Sequence, residues 1–213
     1  MPYYFNPSDA PWISVGPNVR KVVIEEGVTT VGGQAFTYFK NMKEVTLPST
    51  IKVIGRYAFQ TTSIQSISLP SGLERIEQGA FAACKNLTSI TIPNSVYDLE
   101  TFTFSECNSL SSVSLSTSLT SIGDGTFERC TSLRTLVIPS GVNCIGAYAF
   151  WACNMDAIYI PKSLKTVGYG GFFDSQIRNI YYGGSESEWK NIDVHNTRNG
   201  SLKNATIYYD SNC

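Results

Sequence analysis

The chain has 213 residues, 42% of them hydrophobic and only 15% charged, with 16 basic against 17 acidic side chains and a formal net charge of −1. Charged residues fall well below the ~25% of an ordinary globular chain, and Ser, Thr and Asn supply the polarity instead. This composition excludes a disordered chain and leaves no basic stripe to neutralise nucleic-acid phosphates or anionic lipid headgroups; no apolar run approaches the ~18 to 20 residues that cross a bilayer.

Met1-Pro2-Tyr3-Tyr4 has neither the basic start nor the apolar stretch of a signal peptide, so the chain is either not exported or a mature or excised piece. Residues 1–18 place Trp12 and Ile13 among four prolines and are expected to form an irregular N-terminal lid. From Val19 the sequence repeats. Phenylalanines fall at Phe36, Phe59, Phe81, Phe104, Phe127, Phe150 and Phe172, spaced 23, 22, 23, 23, 23 and 22 residues apart. Phe172 fits the last unit better than Phe173 because its flanks align.

Three apolar lanes keep the same period. One runs through Ile24, Leu47, Leu69, Ile92, Leu115, Ile138, Ile160 and Tyr182, mostly followed by proline; a second runs two residues earlier from Val22 to Ile180; a third runs from Val19 to Ile177. Each unit therefore reads apolar-x-x-apolar-x-apolar-Pro, apolar-x-x-apolar-Gly, small-Phe. The x-apolar-x-apolar piece has the period of two of a strand with one buried face, and proline ends it. The second half, as in Val142 to Phe150, is too short for a long helix and predicts a turn with a short helical, 3₁₀ or irregular segment. One unit cannot cover its own apolar face, so units must stack into a solenoid with one parallel sheet face and internal Phe, Leu and Ile ladders.

Residues 19–183 hold about seven repeats, and 184–213 read as a C-terminal cap. There Ser185-Glu186-Ser187-Glu188 fits a capping box opening a short helix that carries Trp189 and Ile192, and Ala205 to Tyr209 reads as a closing strand. The expectation is one complete capped α/β repeat domain, whole or cut from a longer chain.

The repeat resembles the BspA-like leucine-rich repeat family. Leu87-Thr88-Ser89-Ile90-Thr91-Ile92-Pro93, Val142 to Gly146 and Ala149-Phe150-Trp151-Ala152-Cys153 carry the likeness, which extends from Val19 to Gly183. Ser116 departs from it in place of proline, Glu77 and Glu100 in place of glycine, and Tyr182 in place of an aliphatic residue. The resemblance implies a right-handed leucine-rich repeat coil, a cell-surface or extracellular location and a role in adhesion.

Residues with chemical potential fit the repeat. Cys84, Cys107, Cys130 and Cys153 occupy the lane three after phenylalanine, singly in each unit, whereas zinc-binding cysteines come as close pairs; the lane reads as buried, inert thiols rather than disulfides or a metal site. Cys144 and the terminal Cys213 lie outside it. Asn41, Ser63, Asn86, Ser109, Ser132, Asn154 and Gln176 form a lane read as buried and bonded to the backbone of the next coil, which argues against glycosylation at Asn86, while Asn199 and Asn204 are read as nearer the surface. The single histidine, His195, sits in a polar cap loop, and Gly168-Tyr169-Gly170-Gly171 falls in repeat register rather than forming a phosphate loop. No catalytic, cofactor or metal residues are assigned.

The solvent face of the sheet remains. Its middle is a Ser/Thr carpet, while Arg134, Asp156, Arg178, Tyr159, Asn179 and Tyr181 gather toward the C-terminal end. Tyr and Arg are enriched at binding hot spots, so these six are the expected partner site, with the competing reading that Tyr159, Tyr181 and Tyr182 only cover the apolar end of the sheet. The function expected is a monomeric, non-enzymatic scaffold for a host or matrix protein. A passive spacer, or a glycan-binding module stacking sugars on exposed tyrosines, are the alternatives.

Overall fold

The computed structural model describes residues 2, 4 and 6–211. The strands read from the sequence form where the period of two places them: Lys21–Val23 (β1), Glu44–Thr46 (β3), Ser89–Thr91 (β6), Ser112–Ser114 (β8), Thr135–Val137 (β10), Ala157–Ile160 (β12), Asn179–Tyr182 (β14) and Thr206–Tyr208 (β16). Each ladder is parallel and steps by one repeat, as in Val22 beside Val45 and Ile158 beside Ile180. Ser66–Ser68 turns Ile67 inward without joining a ladder, which interrupts this first sheet.

The second half of each unit holds an element the periodicity did not reveal. Two-residue strands at Thr30–Val31 (β2), Val53–Ile54 (β4), Arg75–Ile76 (β5), Asp98–Leu99 (β7), Ser121–Ile122 (β9), Cys144–Ile145 (β11), Thr166–Val167 (β13) and Asp193–Val194 (β15) make a second parallel sheet in two four-stranded stretches. Two residues are too few for an alternation to be visible, but stacking supplies their partners.

After this strand the chain makes turns rather than a helix. The residues two before and two after each ladder phenylalanine take positive φ in every coil, from Gln34 and Tyr38 to Gly170 and Asp174. A non-glycine there costs on the order of 1 kcal/mol. What offsets it is the alternation of backbone directions, which aims alternate amides at the next coil. Gln34, Phe36 and Tyr38 donate to Arg56, Ala58 and Gln60 carbonyls at 2.7, 2.9 and 2.9 Å. Glycine enters this lane where an aromatic ring of the preceding coil lies over it. A Cβ on Gly79 would stand 2.2 Å from the Tyr57 ring, and one on Gly125 would stand 2.3 Å from the Phe102 ring.

The phenylalanines themselves form one stack. From Phe36 to Phe172 successive ring centroids lie 5.1–5.7 Å apart with interplanar angles of 7–15°. Their amides form a parallel chain of hydrogen bonds, each donating to the carbonyl that precedes the next coil's phenylalanine. Side chains close both ends of that chain. The Trp12 indole N–H donates to the Ala35 carbonyl at 2.7 Å and stacks on Phe36 at 5.9 Å, while the Asn199 Oδ1 accepts the Phe172 amide at 3.1 Å. Residues 7–9 and 13–18 form short 3₁₀ turns of the N-terminal lid around Trp12.

Beneath the rings, Cys84, Cys107, Cys130 and Cys153 are fully buried, and each thiol donates to the phenylalanine carbonyl of the preceding coil at 3.1–3.2 Å. Burial raises all four thiols, Cys84 to about 11 and Cys153 to about 12. Cys144 is half-buried, and Cys213 lies outside the described residues.

Two expectations are corrected. The Asn/Ser lane is exposed to half-buried rather than buried: Asn41 and Asn86 are exposed, and Asn41 and Ser63 bond the preceding coil through the Pro17 and Lys40 carbonyls. The lane lies at the rim of the coil, where water shares the bonding. Of the glycosylation sequons, Asn204 is exposed as expected, but Asn86 is exposed as well and Asn199 is buried, only 6% exposed with its amide consumed by Phe172, Gly168 and His195.

Residues 184–211 continue both ladders, through β15 in the second sheet and β16 in the first. The helix Glu186–Lys190 (α1) opens with the expected capping box from Ser185 and Glu188, and Gly200–Asn204 (α2) precedes the last strand. Trp189 packs edge-on to the buried Tyr182 at 5.1 Å, which assigns Tyr182 to the cap.

Truncating Phe104 or Phe127 to alanine removes a fully buried ring from mid-stack and is expected to cost ~3 to 5 kcal/mol in urea denaturation, against less than ~0.5 kcal/mol for Ser89→Ala on the outer sheet face. At the end of the stack, Asn199→Leu orphans the Phe172 amide and should cost about 1 to 3 kcal/mol, whereas Asn199→Asp keeps an acceptor and should recover part of it. The thiols make a third test. Unfolded thiols ionise near 9.0, while the native ones keep their protons to about 11 or beyond. Stability is therefore full below pH 9 and should fall as pH rises through the thiol range. Replacing the four cysteines by alanine should flatten that alkaline fall, and maleimide should label none of the four in the native protein at pH 7.

Candidate functional site

On the outer face of the first sheet, position by position, the parallel register sets Val137, Tyr159, Tyr181 and Tyr208 in one row across β10, β12, β14 and β16. The tyrosines stack: centroids are 4.7 Å apart for Tyr159 and Tyr181 and 4.9 Å for Tyr181 and Tyr208, both pairs tilted by 13°. Strand spacing near 4.8 Å places identical lanes at stacking distance without any adjustment of backbone. Tyr208, which the sequence reading left in the closing strand, is the third member. Its signal was available, since it follows Ile207 as Tyr181 follows Ile180.

The six expected residues do come together here, in unequal roles. Arg178 and Asp156 approach to 3.7 Å as an exposed ion pair. Asn179 Nδ2 donates to the Asp156 carbonyl at 3.2 Å, and the Arg134 guanidinium donates to the Asn154 carbonyl at 3.0 Å. These contacts tie the polar lane beside the tyrosines to neighbouring coils and hold its donors in place. Exposed pairs of this kind add only ~0.2 to 1 kcal/mol to stability, so their value lies in what they present.

Two rival expectations for the tyrosines are thereby separated. Tyr182 covers the apolar end of the sheet from inside, whereas Tyr159 and Tyr181 are half-buried on the outer face. A sugar stacks on a ring face, yet the inner faces of this row are taken by neighbouring rings; the row offers edges, hydroxyls and the outer face of Tyr208, which is 45% exposed. The middle of the sheet is as bland as the sequence suggests, with Ser89, Thr91, Ser112 and Ser114 all exposed.

A second aromatic group, unnoticed in the sequence, lies on the turn side of the last coils, where Trp151 and Phe173 share the lane after the ladder phenylalanine and Tyr148 and Tyr169 come from two other lanes. Tyr148, Trp151, Tyr169 and Phe173 contact one another at 5.3–6.2 Å, and Arg129 lies 4.7 Å from the Trp151 ring centroid. Among the described residues there is no cluster of three or more His, Cys, Asp or Glu side chains arranged to hold a metal ion, and no helix is long and apolar enough to cross a membrane.

Loss of Tyr181 removes both stacking contacts and loss of Tyr208 only one. Tyr181→Ala is expected to lower stability by about 1 to 2 kcal/mol and Tyr208→Ala by roughly half as much, measured by urea denaturation.

Comparison with known proteins rests on the repeat. The model of the BspA type leucine rich repeat region matches in six copies over residues 15–113, 52–179 and 98–211. Among solved structures, a leucine-rich repeat protein from Bacteroides ovatus is 28% identical with a TM-score of 0.73, covering 78% of this chain and 43% of that one. A leucine-rich cell surface protein from Faecalibacterium prausnitzii is 26% identical with a TM-score of 0.56, covering 82% and 62%. The leucine-rich repeat protein of T. pallidum, 23% identical with a TM-score of 0.62 over 99% of this chain and 90% of that one, shares the fold. The chain thus spans less than two thirds of the first two proteins it matches. No curated protein sequence matches it.

Proposed function

This chain belongs to the BspA-type leucine-rich repeat family, and on that premise we propose that it is a non-enzymatic binding scaffold, displayed at a cell surface, that presents the C-terminal part of its longer-stranded sheet to a protein partner. The observation that carries the reading is the row Tyr159, Tyr181 and Tyr208 flanked by Arg134, Asp156, Arg178 and Asn179. Prestacked tyrosines present a fixed strip of ring edges and hydroxyls with little rotamer entropy left to lose, and tethered guanidinium and carboxylate groups add direction; Tyr and Arg are the side chains enriched at interface hot spots. Because the rings cover each other, a protein surface that meets edges and hydroxyls fits better than a sugar that needs faces.

The surface location draws support from the Faecalibacterium prausnitzii cell surface protein. Adhesion to a host or matrix component is the finer form of the proposal. The scaffold reading follows from the family, whose repeat builds a frame and leaves function to the side chains displayed on it.

The test is a pull-down and affinity measurement against host and matrix proteins. For the ligand so found, Tyr159→Ala and Tyr181→Ala should each weaken binding by more than ~1 kcal/mol, with Ser68→Ala and Ser112→Ala neutral. Comparison at temperatures well below each variant's melting point separates lost contact from lost stability. A ligand indifferent to both tyrosines would move the site elsewhere, and a chain that captures nothing would leave the spacer role.

A further inference from the structure

The last coil leaves a second surface unused by the sheet-face reading. Val194 and Ile207 stand in the inward lanes of β15 and β16, in register with Val167 and Ile180, but are only partly covered. With Trp189 and Leu202 they floor a cleft of about 790 Å³. A cleft of that size with an apolar floor suits one or two buried apolar groups oriented by a few polar ones.

The rim is basic. His195, Arg198 and Lys203 line it against one carboxylate, Asp174. Among the described residues, no ion pair holds Arg198 or Lys203, in contrast to Lys21 with Glu44 and Lys190 with Glu186. Arg198 is nonetheless held in place. Its guanidinium lies 4.8 Å from the Phe173 ring centroid and 5.8 Å from that of Tyr169, on a backbone with φ of 64°. It also hydrogen-bonds the Tyr148 side chain, and the remaining N–H groups of a guanidinium stacked on rings are there for a carboxylate.

Among the described residues β16 pairs with β14 alone, and its other edge borders the cleft. The Thr206 amide donates back to the Arg178 carbonyl, so by the alternation of a parallel ladder the amide and carbonyl of Ile207 turn to the outer edge of β16. That edge favours an extended chain over an enclosed small molecule.

We propose that this cleft docks an extended segment of a partner protein that carries an apolar side chain beside acidic ones, the apolar group seated on Trp189, Val194, Leu202 and Ile207 and the carboxylates on Arg198 and Lys203. The site goes beyond the sheet-face reading and does not depend on it.

The probe is a fluorescein-labelled peptide with a leucine-phenylalanine pair flanked by glutamates, read by anisotropy on the full chain. Two controls accompany it, one with lysines for the glutamates and one with serines for the apolar pair. Gly200 lines the cleft, and a Cβ there meets nothing within 4 Å, so Gly200→Trp sets a bulky side chain at the cleft with no clash at its Cβ. The glutamate peptide should bind, both controls should bind about tenfold more weakly, and Gly200→Trp and Lys203→Gln should each lose about tenfold while Tyr159→Ala binds as the parent does. Far-UV circular dichroism and melting curves establish that each variant is folded. The proposal is overturned if the glutamate peptide does not bind, if the lysine peptide binds equally well, or if folded Gly200→Trp binds unchanged. It is also overturned if dodecanoate displaces the peptide at lower concentration than unlabelled peptide does, which marks a small-anion site, or if Gly200→Trp abolishes a concentration-dependent dimer, which marks a self-contact.

Discussion

The coils are held in register by a bond that recurs at every phenylalanine: its amide donates to the next coil, at 2.8–3.0 Å from Phe36 through Phe150. Forming it requires the chain to turn twice into the left-handed region around each ring, a conformation most side chains resist. The cost is accepted because the same turns bring the rings to stacking distance and bury the thiols that bond the phenylalanine carbonyls. Remove the stack and the left-handed residues have nothing to offset them. The core and the backbone path are therefore one cooperative feature, as expected where each repeat is stabilised only by its neighbours.

A chain of hydrogen bonds that steps from coil to coil has two ends, and both are closed by side chains imitating backbone. Trp12 supplies the missing donor and Asn199 the missing acceptor. The two solutions differ in consequence. Trp12 also stacks on Phe36 and so closes the apolar core with the hydrogen bond, whereas Asn199 satisfies polarity alone and leaves the covering of the last apolar lanes to Trp189, Leu202, Val194 and Ile207, which do it incompletely.

Register also shapes what the surface can recognise. In a parallel solenoid a residue type repeated in one outer lane is placed against its own copy, so tyrosine on successive coils stacks and spends its faces internally. Side chains in different lanes are freer to mix, and on the turn side this gives guanidinium groups over rings, with Arg129 on Trp151 and Arg198 on Phe173. The sheet face is thus regular and prestacked, while the surface of the last described coil is irregular and basic.

The sequence by itself determined the repeat, the inward lanes and the position of the longer strands, because a period of 22–23 residues with alternation inside it admits few arrangements that bury Phe59, Ile90 or Leu136. It also placed Tyr159 and Tyr181 in one outer lane, though not Tyr208 beside them. Only the tertiary structure decided what depends on contacts between coils rather than on pattern within one. The two-residue strands of the second sheet carry no legible alternation, and the Asn/Ser lane lies at the rim, where polarity cannot tell buried from exposed. The glycines of the turn lane are explained by rings one coil earlier, and Asn199 is buried because the amide of Phe172, 27 residues away, needs an acceptor. Such facts are unreadable along the chain because their causes lie across the stack.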